Sequence, residues 1–108
     1  MKDDNIIRLV VGILLTQVTV KILKRLIMEP RPQGGGTYGM PSSRAGVITF
    51  IIIYLIMNNN LKQRTILIIT IVGLLSVNTK LILKEHSLPQ ILVGSVIGFI
   101  ISIFVTNV

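Results

Sequence analysis

Lys24, Arg31, Arg44 and Lys80 stand at the edges of apolar runs, and the only histidine of the chain, His86, follows shortly after the last of them. Cations held beside lipid are costly, so they usually serve a site. Together, Lys24, Arg31, Arg44 and Lys80 suggest a pocket that binds phosphate at the membrane surface. Ser42 and Ser43 would add hydroxyl donors. Backbone N–H groups of the helix that follows them would help, because a helix N-terminus favours an anion. An imidazole also needs a partner on its second ring nitrogen to fix its tautomer. Gln90, one helical turn beyond His86, offers its amide oxygen for that purpose.

Placing these residues together falls to the apolar runs. The chain has 108 residues, room for a single domain (1–108), and only 14% of them are charged. An ordinary soluble domain carries about 25%. Apolar runs predict helices at about 6–27, 42–57, 65–83 and 88–106. In a bilayer every backbone group must be satisfied within the segment, so the expected fold class is all-α, an integral membrane bundle of about four transmembrane helices. The first run lacks a small-residue cleavage site and reads as a retained anchor.

Between the runs lie a loop with Pro30, Pro32, Pro41 and Gly34 to Gly36, a polar turn at Asn58 to Asn60, and a third connection with Ser87 as N-cap and Pro89 in the first turn. Four crossings put the first and third connections on one face, and with them all the residues named above. Residues 33–37 are glycine-rich enough for a flap over the pocket. Gly94, Gly98 and Ser102 recur every four residues and form a stripe where another helix can approach closely. A homodimer would be one way to cover it.

Composition also excludes chemistry. No cysteine is present, so thiolate nucleophiles, thiolate metal sites and disulfides are ruled out. The acids are Asp3, Asp4, Glu29 and Glu85, too scattered for a carboxylate cage, and no metal or other cofactor is expected. Glu29 and Glu85 read as trimming local charge. The net charge of +7 points to anionic lipid or a phosphorylated ligand rather than nucleic acid, since the cations do not line a soluble face.

Three motifs follow in order: Lys24, six residues, Arg31-Pro32; then Pro41-Ser42-Ser43-Arg44; then Thr79-Lys80, five residues, His86, three residues, Gln90. This order and spacing resembles the type 2 phosphatidic acid phosphatase superfamily of membrane lipid phosphatases. The run Tyr38-Gly39-Met40-Pro41-Ser42-Ser43, with Gln90 in place of a final Asp, looks like its dolichyl-diphosphatase branch. The resemblance implies a reduced core of a six-helix fold. It also implies metal-independent hydrolysis of a lipid-linked polyprenyl or dolichyl diphosphate, with His86 as nucleophile through a phosphohistidine and Gln90 orienting it. Lys24, Arg31, Ser42, Ser43 and Lys80 would bind the phosphate. Expected partners are that lipid and the surrounding membrane lipids, and the expected location is a multi-pass protein of an endoplasmic-reticulum-like, cell or viral membrane.

Arg44 departs from the family pattern, where a histidine protonates the leaving group. Arginine stays protonated and cannot be a general acid. A diphosphate needs none, because its leaving group is a phosphate whose second pKa is about 6. Arg44 would then stabilise that charge, favouring diphosphates over monophosphate esters. The alternative is a catalytically lapsed relative that binds lipid phosphates, or a small structural membrane protein.

Overall fold

The computed structural model describes residues 3–30, 32, 39–82 and 86–107, the side chains of 3–5 and 80–82 excepted. All regular elements among them are α-helices: α1 (Asp3–Ile27), α2 (Ser43–Asn58), α3 (Gln63–Ile82) and α4 (Leu88–Asn107). Each boundary has a local cause. Helix α1 ends at Met28, whose φ of 57° is left-handed. Its N–H closes back on the carbonyl of Lys24 at 3.0 Å, an αL cap on a residue other than glycine. Helix α2 starts under Ser42, whose Oγ accepts the Ala45 N–H at 3.2 Å. It ends in the asparagine run: Asn58 and Asn59 donate their side-chain amides to the carbonyls of Tyr54 and Leu55, and the Asn59 N–H also closes on Leu55 at 3.1 Å.

Two hydrogen bonds fix how the helices run. Ser42 N–H donates to the Gln90 carbonyl at 3.0 Å. At the far end, Asn58 Nδ2 donates to Thr106 Oγ1 at 2.9 Å. Helices α2 and α4 are therefore parallel, with like ends level. The seam between them is closed by small residues: a Cβ at Gly94 would strike the Ser42 backbone, and one at Gly98 the Gly46 carbonyl. The stripe read from the sequence is thus filled by α2 of the same chain, which removes the reason it gave for pairing two chains.

Helix α1 crosses this pair in the opposite direction, with Gly12 under the Phe50 ring and Thr16 beside Gly46. The core consists of Phe50, Tyr54, Ile101 and Val105, with Leu9, Ile13, Ile51 and Ile97 packed on it. The Phe50 and Tyr54 rings stack with centroids 5.6 Å apart. Helix α3 packs chiefly on α2, where Gly73 admits Ile48 and Ile52. It leaves a cleft of about 500 Å³ against α2 and α4, lined by Ile52, Leu74, Ile91 and Leu92 among others.

Among the described residues, two helices are long and apolar enough to cross a membrane, Ile6–Ile27 and Leu88–Asn107. Only 17% of the first span is buried, so Val10, Val11, Leu14, Val18 and Leu26 face outward, as an apolar solvent requires. Helix α3 is apolar over Gln63–Thr79 and equals α4 in length at 20 residues. Helix α2 is apolar but shorter, 16 residues and about 24 Å long against a hydrocarbon core of about 30 Å. Four helices thus stand where the sequence predicts four, and two of them are candidate spans by both length and composition.

Candidate active site

The C-terminal end of α1 and the N-terminal ends of α2 and α4 meet at one end of the bundle, where Ser42, His86 and Gln90 lie. His86 is 4% exposed, two residues ahead of α4. Its Nδ1 lies 3.0 Å from the carbonyl oxygen of Gly39. A carbonyl only accepts, so Nδ1 carries the proton and, in the neutral ring, Nε2 holds the in-plane lone pair. That is the tautomer an attack on phosphorus through Nε2 needs. Gly39 is itself held, its N–H donating to the Glu29 carbonyl at 2.9 Å.

Gln90 ties the three motif segments together. It is 1% exposed, and each of its polar groups is used. With Ser87 it forms a capping box: the Ser87 N–H donates to Oε1 at 2.9 Å, and the Gln90 N–H points back to Ser87 Oγ at 3.4 Å. Nε2 donates to Glu29 Oε1 at 2.9 Å and to the Pro30 carbonyl at 3.0 Å. The backbone carbonyl takes the Ser42 N–H. No buried side-chain polar atom among the described residues lacks a partner, as a stable buried network requires.

The structure departs here from the sequence expectation. Gln90 was expected to orient His86 through its amide oxygen; that oxygen instead caps α4 at Ser87, and Gly39 supplies the acceptor for Nδ1. The sequence carried the clue, since Ser87-Leu88-Pro89-Gln90 has the capping-box spacing. Glu29 and Gly39 were not expected to take part. Glu29 does more than trim charge, because both its carboxylate and its carbonyl are engaged. Its place just before Pro30-Arg31-Pro32 is the only signal the sequence offers.

The other expected residues are distributed around this centre. Ser42 is 1% exposed; its Oγ accepts from Ala45 and still has its own proton to donate. Ser43 is half-buried in the first turn of α2, and Arg44 beside it is exposed. Lys24 is half-buried in the last turn of α1, where the helix dipole favours a cation, and Arg25 is exposed. Thr79 is exposed and bonds back to its own helix at Leu75. Arg31, the Lys80 side chain and the flap at 33–37 lie outside the described residues. Among the described residues, no three of His, Cys, Asp or Glu come together as a metal site would need.

A buried imidazole with a fixed tautomer beside a helix N-terminus can hold and attack a phosphoryl group. Comparison with known proteins agrees in kind. The curated proteins and the solved structures searched gave no match. The family model described as the PAP2 superfamily matches residues 5–108. With its three motifs converging on one end of the bundle and the match running almost from end to end, the chain belongs to the PAP2 superfamily.

Proposed function

We propose that this protein hydrolyses a lipid-linked polyprenyl or dolichyl diphosphate through a phosphohistidine on His86. Family membership brings phosphatase-type activity and membrane association. The observation that carries the finer reading is the buried His86 ring with its Nδ1 on Gly39. Nε2 attacks the terminal phosphorus, and the anhydride P–O bond breaks with its electron pair leaving on the lipid monophosphate. Water then attacks the phosphohistidine, releasing inorganic phosphate and restoring the imidazole. Lys24, Arg31, Lys80, Ser42 and Ser43 bind the phosphoryl oxygens, and Arg44 offsets charge on the leaving phosphate. In this reading all four helices cross the bilayer, α2 through a thinned region, and the site lies at the water–lipid boundary.

Arg44 favours one competing reading, a lapsed enzyme that only binds lipid phosphates, because it cannot protonate a leaving group. Phosphate release from a polyprenyl diphosphate by purified protein, abolished in His86→Ala, is the expected result. No release in any detergent or lipid, with the helices intact by circular dichroism, would overturn the reading.

A further inference from the structure

Four hydrogen bonds lead from α4 out to the α1–α2 connection and back again. Gln90 Nε2 donates to Glu29 Oε1 at 2.9 Å and to the Pro30 carbonyl at 3.0 Å. The Glu29 carbonyl receives the Gly39 N–H at 2.9 Å, and the Gly39 carbonyl lies 3.0 Å from His86 Nδ1. The path starts in the first turn of α4 and ends at His86, two residues ahead of that helix. It ties the position of Gly39 to Glu29 and, through Glu29, to Gln90.

We propose that Glu29 and Gln90 are a matched pair of positioning residues, which hold the Glu29–Pro30 backbone so that Gly39 keeps the proton of His86 on Nδ1. The catalytic meaning rests on the phosphohistidine reading above; the geometry does not. Glutamine suits position 90 because one side chain must accept from Ser87 N–H and donate twice. A carboxylate can accept but has no proton to give. Facing Glu29 and Pro30, it would set oxygen against oxygen, an unsatisfied and repulsive arrangement in a buried site. The residue at 29, by contrast, needs only an acceptor, which a glutamine also supplies.

This sets an unequal order of effects. Glu29→Gln keeps an oxygen opposite Gln90 Nε2 and should be mild. Gln90→Glu should be severe. Glu29→Gln combined with Gln90→Glu restores one donor–acceptor pair, while Pro30 stays unmatched, so rescue should be partial. If Glu29 acted through its charge alone, Glu29→Gln would be severe and the double variant no better.

The chain has a single histidine, so its ring nitrogens can be read without assignment. Protein labelled with ¹⁵N-histidine in lipid nanodiscs, at a pH where the ring is neutral, should show the Nδ1–H tautomer in the unaltered chain and in Glu29→Gln. Gln90→Glu should show a mixed or Nε2–H pattern, and the double variant a return toward Nδ1–H. In the same preparations, kcat for a polyprenyl diphosphate should fall by roughly 10²–10⁴-fold in Gln90→Glu, the scale of losing a tautomer-fixing partner, with KM little changed. Should Gln90→Glu not fold, Glu29→Ala carries the test, with a measurable loss of the Nδ1–H tautomer expected. An unchanged Nδ1–H tautomer in folded Gln90→Glu or in Glu29→Ala, or a Glu29→Gln as severe as Gln90→Glu, would overturn the proposal. An unaltered protein that releases no phosphate would sink the phosphatase reading and leave the tautomer measurement standing.

Discussion

The carbonyl oxygen of Gly39 stands 3.0 Å from Nδ1 of His86, across 47 residues of sequence. The group that fixes the ring is thus backbone, and no side-chain substitution at Gly39 deletes it. Only a shift of the segment that carries it can do so. That segment is tied to Glu29, and Glu29 to Gln90.

Restoring the family's aspartate at position 90 should therefore harm rather than help. Aspartate is shorter than glutamine and cannot donate to Glu29 or Pro30. Gln90→Asp should lower phosphate release from a diphosphate by about tenfold or more, on the scale of an orphaned buried acceptor or two. Higher turnover in that variant would mean that residue 90 addresses the ring directly.

Arg44 sits exposed in the first turn of α2, where the family pattern has a histidine. Arg44→His would supply a proton donor for an alkoxide leaving group. Turnover of a lipid monophosphate should rise by roughly 10²-fold, the low end of what general acid catalysis contributes, with the diphosphate rate much less affected. Parallel phosphate-release assays on the two substrates check this, and unchanged monophosphate turnover would count against the role given to Arg44.

The α2–α4 seam should tolerate no methyl group. At Gly98 an added Cβ meets the Gly46 carbonyl and the Phe50 nitrogen, and at Gly94 it meets Ser42. Backbone cannot swing aside. Gly98→Ala and Gly94→Ala should each destabilise by about 1–3 kcal/mol. At Gly73 the obstruction is chiefly the Ile52 side chain, which has a free end, so Gly73→Ala should cost clearly less. Unfolding from mixed micelles by a denaturing detergent ranks the three.

At the opposite end of the seam, Asn58 bonds both Tyr54 and Thr106. Asn58→Ala should cost about 1 kcal/mol, and a double-mutant cycle with Thr106→Val should show coupling of that order. Strict additivity in the cycle would say that this bond does not hold the far ends of α2 and α4.

Met28 takes a left-handed backbone (φ 57°) that a side chain disfavours by about 1–2 kcal/mol. Being 56% exposed, it loses little on truncation. Met28→Gly should stabilise the chain by roughly 0.5–1 kcal/mol after the extra freedom of the unfolded glycine is counted. The apparent Tm in one detergent reads this, and a fall in it would contradict the strain.

Much of this was legible because lipid leaves the backbone few options. The apolar runs had to be helices, and Ser42, Ser87 and the Asn58 to Asn60 run mark their ends with side chains that cap. The convergence of Ser42, His86 and Gln90 followed from which loops share a face. The partner of His86 did not, because a backbone carbonyl has no signature in the sequence. Gln90 was assigned to the ring on helical spacing alone, and a nearer competitor, the Ser87 N–H, claimed its oxygen. Glu29 was read as a surface charge because nothing in its neighbours announces a donor 61 positions away. The stripe at Gly94 and Gly98 was recognised as an approach surface, but spacing could not say that the visiting helix belongs to the same chain.

Because Gln90 clasps the α1–α2 connection and stands only four residues beyond His86, order of synthesis matters. A ribosome releases α1, α2 and α3 before α4. Until α4 inserts, Ser42, Glu29 and Pro30 have no Gln90 to meet, and the α1–α2 connection has no anchor. Docking of α4 and fixing of the His86 ring are then a single event.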